Sequence, residues 1–223
     1  MKAYILRTDN KISMEYAKTC AESCDEVGLK WEYFQGWRDM PSVKAYQNTG
    51  VPMKKLGPPK AHNNPAGCAG AGHLAIWKKI TEGEDEIAII LEHDAIMFHK
   101  PNIQIPDNTI VVLGYRMFKP NQYNHEKAGP PKSVKPINSH IGAHAYMITK
   151  STAQSLVDEV IDNGRPLGNI DQHYFIGPRK TKANLAINDP ISAVAWVRDS
   201  TIWGRYGKAH NKNEIQSFTN NLR

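Results

Sequence analysis

The sequence predicts an α/β fold, a single domain built on a mostly parallel central sheet. Three observations carry the prediction. Helical-period segments alternate with short β-branched runs along most of the chain, the pattern of strands joined by crossover helices. The run Ile87, Ala88, Ile89, Ile90, Leu91 is apolar without alternation, as in a strand buried on both faces. No repeat, low-complexity tract or linker divides the 223 residues, a length that suits one domain with an ample core.

The elements follow in order. A first strand begins at Ala3 and ends near Arg7 and Thr8. Ser13 suits the cap of a helix in which Met14, Ala17, Ala21, Cys24 and Val27 recur at helical spacing, and Gly28 closes it. Trp31 to Phe34 is aromatic-rich and reads as a second strand. Residues 38–65 hold five prolines and no sustained period, and so predict an irregular excursion. A helix starts near Pro65 and runs through His73 and Trp77 to about Glu82, and the buried-type strand follows.

Further along, 109–113 predicts a strand ending at Gly114 and Tyr115, and the proline- and lysine-rich 116–138 predicts a surface loop. A strand over 143–148 precedes a helix that Ser151 suits as cap and Asn163 with Gly164 ends. A short helix starts near Asp171, and 193–197 predicts the last strand.

Composition narrows the function classes. No stretch approaches the roughly 18 apolar residues of a membrane span, and the first residues reach charge too early for a signal peptide. Three cysteines, all on predicted helices, form no closed disulfide set, and no Cys-x-x-Cys pair suggests structural zinc. Reduced thiols and a cytoplasmic location are the simplest expectation. The net charge of +6 is concentrated in 116–135 and near the end, which favours anionic partners such as nucleoside diphosphates, phosphorylated glycans or nucleic acid. Lysines that simply solvate the surface are an equal account of most of these residues.

The apolar run 87–91 feeds directly into Glu92, His93 and Asp94. Ligands of open α/β sheets bind at the carboxyl ends of strands, which places these side chains at a candidate site. On an extended chain Glu92 and Asp94 leave on the same side. Two hard oxygen donors there suit Mn²⁺ or Mg²⁺ holding a substrate phosphate. His93 points away by the same alternation and is read as packing or hydrogen bonding rather than as a ligand. His140 and His144 are four apart at a strand entry, where hydrogen bonding suits them better than zinc.

The central block resembles glycosyltransferase family 25, the lipopolysaccharide and collagen-type glycosyltransferases with a GT-A (Rossmann-like) fold. That family's signature is a Gly-Cys-x-x-Ser-His helix leading to an apolar strand ending Glu-Asp-Asp. Here the helix containing His73 to Ile80 leads through an acidic turn to Glu92, His93 and Asp94. Ala145 with Tyr146, the helix after them, Asn169 to Asp171, and Asp199 to Ile202 are similar to later family segments in the same order. The chain departs from the pattern at His93, at Gly72 in place of the serine, at the displaced Gly67 and Cys68, and at Arg7, Thr8 and Asp9.

The resemblance implies a GT-A-like glycosyltransferase domain over 1–202; in the basic tail 203–223, Trp203, Arg205 and Lys208 could fold over the diphosphate as a lid, and a simple basic terminus is the commoner case. It implies a metal-dependent transferase moving a sugar from a nucleoside-diphosphate donor to an acceptor hydroxyl with inversion. Arg7, Thr8, His73, Glu92 and Asp94 would bind the donor, and Asp94 with Glu92 the metal. For His73 a structural hydrogen bond is as good an account as a phosphate contact. Asp171 would be the general base, a role compatible with that of helix cap. The acceptor stays open as a glycan, a protein hydroxyl or a hydroxymethylated DNA base, the last kept in view by the basic loop, with Tyr115, Arg116, Lys119, Lys132 and Lys135 as candidate contacts. The second function class is a nucleotide-sugar-binding protein of the same fold without turnover, suggested by His93.

Overall fold

A computed structural model describes residues 1–53, 64–116, 129–140, 142–164, 169–176 and 181–195. Lys119, Lys127, the segment 196–202 and the whole of 203–223 lie outside the described residues, as do the side chains of Tyr115 and Arg116. The elements are β1 (Lys2–Arg7), α1 (Lys11–Glu26), β2 (Trp31–Gln35), α2 (Ser42–Asn48), α3 (Asn64–Glu82), β3 (Ile87–Glu92), β4 (Ala95–Met97), β5 (Thr109–Val112), β6 (Gly114–Arg116), β7 (Ser133–Pro136), β8 (Ala145–Thr149), α4 (Lys150–Asn163), a π-helical turn (Asp171–Phe175), β9 (Asn184–Asp189) and β10 (Ala193–Ala195).

Seven strands form the main sheet in the order β2-β1-β3-β8-β5-β9-β7. β1 pairs in parallel with β2 on one side and β3 on the other, and β5 pairs in parallel with β9. β8 runs antiparallel between β3 and β5, and β7 closes the edge antiparallel to β9. The other five strands of the seven therefore share one direction, and the predicted α/β class with a mostly parallel sheet holds. A second, three-stranded sheet has the order β4-β10-β6.

Side-chain alternation divides the core between the two faces of the sheet. Ala3, Ile5, Ile89 and Leu91 pack with Ala17, Cys20 and Cys24 of α1. Tyr4, Leu6, Ala88 and Ile90 pack on the opposite face with Leu74, Trp77 and Ile80 of α3 and with α4. Each leucine or isoleucine among them contributes about 1.5–3 kcal/mol by leaving water. All three cysteines are free and buried on helices, as expected from the sequence.

The chain leaves β1 through α1 to β2, then returns through α3 to β3 on the other side of β1. The strand order thus reverses between β1 and β3, and their carboxyl ends border the crevice where doubly wound sheets take ligands. The short α2 is held against α3 at Gly67, where a Cβ would lie 2.4 Å from Ser42 Cβ. Only glycine permits that approach, which fixes the loop carrying Trp37 and Arg38 close to α3.

Several local expectations are corrected. Asn10, not Ser13, caps α1, its Oδ1 accepting from Ile12 N–H at 3.0 Å; Ser13 lies within the helix and its Oγ accepts from Thr8 N–H. Thr149, not Ser151, caps α4. The excursion 38–65 contains α2, and the predicted loop 116–138 contains the edge strand β7. β4 and β9 were not foreseen. β9 is broken in composition by Asn184, Asn188 and Asp189, yet Asn188 is buried and donates to Ser192 Oγ at 2.7 Å.

Candidate active site

A cleft opens at the carboxyl ends of β1, β2 and β3. Arg7 and Thr8 line it from β1, Gly36, Trp37 and Arg38 from the chain after β2, and Glu92 and His93 from β3. Pro65, Cys68 and Ala69 contribute the amino-terminal part of α3, whose first turn holds no acidic residue. The amino-terminal end of a helix carries partial positive charge, and with Arg7 and Arg38 it makes this wall suitable for an anion. The guanidinium of Arg7 stacks over the Tyr33 ring at 4.1 Å, and no described residue accepts from its buried Nε. Arg38 Nε stands 3.6 Å from Asp39 Oδ1.

Glu92 is the acidic group of the cleft. Its Oε1 lies 3.3 Å from His73 Nε2. Burial raises the Glu92 carboxyl, but the hydrogen bond that it accepts from His73 outweighs it and leaves the carboxyl below its ordinary value. Glu92 is therefore ionised throughout the neutral range. Its side chain is 26% exposed, so it meets both the protein interior and the cleft.

His73 is 0% exposed, and both its ring nitrogens are occupied inside the protein, Nε2 by Glu92 and Nδ1 by Tyr146 Oη at 2.8 Å. Of the two roles open to it in the sequence, the packing matches the structural hydrogen bond: His73 reaches the cleft only through Glu92. Gly72 beside it lies against β1, where a Cβ would sit 2.9 Å from Leu6 Cδ1, so the glycine standing at the family's serine position leaves room for Leu6.

Asp94 departs from the sequence geometry. The strand ends at Glu92, and His93 and Asp94 form a turn, so the rule that residues two apart face the same way stops applying between them. Glu92 is hydrogen-bonded to His73 of α3, and the charge of Asp94 adds to the rise that burial and Cys24 impose on the Cys20 thiol of α1. His93 does not point away from Glu92 but lines the cleft with it, its ring parallel to Tyr16 of α1 at 6.1 Å between centroids.

Asp171 opens the π-helical turn. Asn169 Oδ1 accepts from Asp171 N–H at 2.9 Å, and Asp171 is the first residue of the turn rather than its cap, which is Ile170. Tyr174 and Phe175 of the same turn are buried against Trp77 and Tyr146, at 5.0 and 5.3 Å between ring centroids. The turn is thereby anchored to the residues behind Glu92.

The remaining predicted residues separate. Lys135 Nζ pairs with Asp189 at 2.5 Å on the outer strand β7, and Lys132 just before that strand is exposed. His140 Nδ1 and Nε2 lie 3.0 and 2.9 Å from the carbonyl oxygens of Gly142 and Gly114, which fits the hydrogen-bonding role rather than zinc. Among the described residues, no three His, Cys, Asp or Glu side chains converge to hold a metal ion. No described helix is long and apolar enough to cross a membrane.

Four contributors escaped the sequence reading: Trp37 and Arg38, and Trp77 and Tyr146 as partners of His73. A signal existed for the first two, since Gly36, Trp37 and Arg38 follow a predicted strand directly, at the end where ligands bind.

No protein-family model and no curated protein sequence matches the chain. Among solved structures it is similar to the galactosyltransferase LgtC in complex with donor and acceptor sugar analogs, at 12% identity and a TM-score of 0.45, over 100% of this chain and 96% of that one. It is similar to a glycosyltransferase involved in glycosylation of the major capsid of PBCV-1, at 10% identity and a TM-score of 0.42, over 89% and 96% of the two chains. A third likeness is to a Drosophila β-1,4-galactosyltransferase 7 in complex with manganese, UDP-Gal and xylobiose, at 7% identity and a TM-score of 0.33, over 88% and 95%. At such identities the likeness assigns no residue a role.

Proposed function

We propose that the chain is a glycosyltransferase that takes a sugar from a nucleoside-diphosphate donor and passes it to an acceptor hydroxyl. One observation carries the reading. A carboxylate held ionised, Glu92, shares the switch-point cleft with a wall of Arg7, Arg38 and the start of α3 that suits an anion. A diphosphate drawn to that wall would be repelled by Glu92 unless a cation lay between them. Mn²⁺ or Mg²⁺ is commonly held by one or two carboxylates plus substrate phosphates, so Glu92 and Asp94 are a sufficient protein contribution. The ion, when bound, would act as a Lewis acid on the leaving diphosphate.

The residues then divide the work. Arg7, Thr8 and Arg38 bind and orient the donor, with Trp37 as an apolar wall. The acceptor oxygen attacks the anomeric carbon, the bond to the diphosphate oxygen breaks, and Asp171 takes the hydroxyl proton. Attack from the face opposite the diphosphate inverts the anomeric centre. The test is release of nucleoside diphosphate from a nucleotide sugar in the presence of acceptor, with the product anomer read by NMR. A retained configuration would remove direct displacement.

A second reading has its own observation, the histidine at 93 lining the cleft in place of an acid. It is a nucleotide-sugar-binding protein without turnover. Donor binding with neither transfer nor donor hydrolysis would establish it.

For the acceptor, a glycan is favoured over DNA, because Lys135 is already paired with Asp189. Phosphate contacts would make acceptor binding weaken steeply with salt. Converting Lys119, Lys127, Lys132 and Lys135 to Gln would then flatten the salt slope by up to about four units. A glycan acceptor predicts almost no salt dependence and no binding to hydroxymethylated duplex DNA at low salt. Steep dependence in the wild type, lost in the quadruple variant, would restore the DNA reading.

A further inference from the structure

We propose that Tyr146 and Trp77 are positioning residues: a hydrogen-bond chain of one fixed polarity, from Trp77 through Tyr146 and His73, aims the Glu92 carboxylate into the cleft. The proposal rests on the donor-binding reading of that cleft. Its geometry stands by itself.

The chain spans elements distant in sequence. Trp77 Nε1 and Tyr146 Oη are 2.9 Å apart, Tyr146 Oη and His73 Nδ1 2.8 Å, and His73 Nε2 and Glu92 Oε1 3.3 Å. Trp77, Tyr146 and His73 are each 0% exposed, so water cannot relieve an unmade bond among them. The directions follow from what each group can do. An indole N–H only donates, so Trp77 donates to Tyr146 Oη. Among the described residues the one acceptor in reach of the Tyr146 hydroxyl hydrogen is His73 Nδ1. Burial first of all pushes the Tyr146 phenol well above its ordinary value, so that hydrogen is always present.

Tyr146 therefore donates to Nδ1, and the His73 proton resides on Nε2, where it donates to Glu92. An imidazolium would force Tyr146 Oη to accept twice and strand its own hydrogen in the core. With Oε1 taken by His73, no described residue bonds Glu92 Oε2. That oxygen is the one presented to the cleft, and its direction is set by rings that never touch the ligand.

α3 supplies Trp77 and His73 one turn apart, on a single face as four-residue spacing requires. β8 supplies Tyr146 beside β3, in register with Ile90. Phe175 packs edge-on against the Tyr146 ring and Tyr174 against Trp77, which seals the chain from behind. Removing an outer-shell partner of this kind typically costs about 10–100-fold in ligand or metal affinity.

The experiment has two arms. ¹⁵N NMR of the His73 ring in the wild type, with no ligand, reads the tautomer directly. The expected result is a protonated Nε2 and an unprotonated Nδ1; a proton on Nδ1 overturns the proposal. The second arm is a double-mutant cycle on Mn²⁺-dependent affinity for nucleotide sugars, using Tyr146→Phe, Glu92→Gln and the pair. Tyr146→Phe keeps the ring packing, and it is expected to weaken donor binding about tenfold or more alone and to add almost nothing in the Glu92→Gln background. An equal loss in both backgrounds means that Tyr146 acts on general packing and overturns the proposal. If the wild type binds no nucleotide sugar, the donor reading of the cleft fails, and the NMR arm still decides the hydrogen-bond polarity.

Discussion

Asp171→Asn is expected to lower turnover by about 10²-fold or more, the usual scale for loss of a general base, with donor affinity near that of the wild type. The amide has the shape of the carboxylate but cannot take the acceptor proton. The substitution leaves the local backbone supported, because Asn169 Oδ1 accepts from Asp171 N–H and Asp171 O accepts from Ile176 N–H at 2.7 Å, neither through the Asp171 carboxylate. Tyr174 and Phe175 keep the turn docked on Trp77 and Tyr146. Single-turnover kinetics with saturating donor separates the outcomes. Unchanged turnover would reduce Asp171 to a structural residue, and a matching loss of donor affinity would move it into the donor site.

Asp94→Asn is expected to abolish Mn²⁺-dependent donor binding. A hard divalent cation shared with a diphosphate depends on the formal charge of its one or two carboxylates, and the amide removes that charge at nearly constant volume. The turn at 93–94 holds Asp94 half-buried beside α1, so the same substitution reports on the Cys20 side of the sheet as well. Calorimetric titration of donor in Mn²⁺, with circular dichroism as the check on folding, is the measurement. Wild-type affinity in a folded Asp94→Asn protein would leave Glu92 as the sole protein ligand.

The parts of the fold that the sequence disclosed are those whose burial is simple. β3 is buried on both faces, and its residues up to Leu91 are uniformly apolar; α1 and α4 each bury one stripe with a 3.6-residue period, and α3 is buried over most of its surface from Ala66 to Trp77. β9 hid because Asn184, Asn188 and Asp189 interrupt its apolar run, although the Asn188 amide is buried and donates to Pro190 O and Ser192 Oγ in the segment just after the strand. α2 hid behind the prolines that follow it. The caps were displaced by a turn or less, since Asn10 and Ser13, or Thr149 and Ser151, are equally able cap residues and tertiary placement decides between them.

The site divides in the same way. Glu92 was legible because a buried strand must end where a ligand can reach it. The facing of His93 and Asp94 was not, because alternation presumes an extended chain and the chain turns after Glu92. Nor was the bond between His73 and Tyr146, 73 residues apart, which belongs to the pairing of β3 with β8 and not to either segment alone.

The central claim is that the cleft between β1 and β3 holds a nucleoside-diphosphate sugar through a divalent cation. Thermal unfolding of the whole chain with a panel of nucleotide sugars, with and without Mn²⁺, tests it most directly. A ligand that binds the native state at about 100 times its Kd adds about 2.7 kcal/mol, which for a chain of this size raises Tm by about 5–10 °C. The account predicts such a rise for at least one nucleotide sugar in Mn²⁺ and its loss when Mn²⁺ is chelated. No rise with any donor in Mn²⁺, or a rise that persists undiminished after chelation, would contradict it.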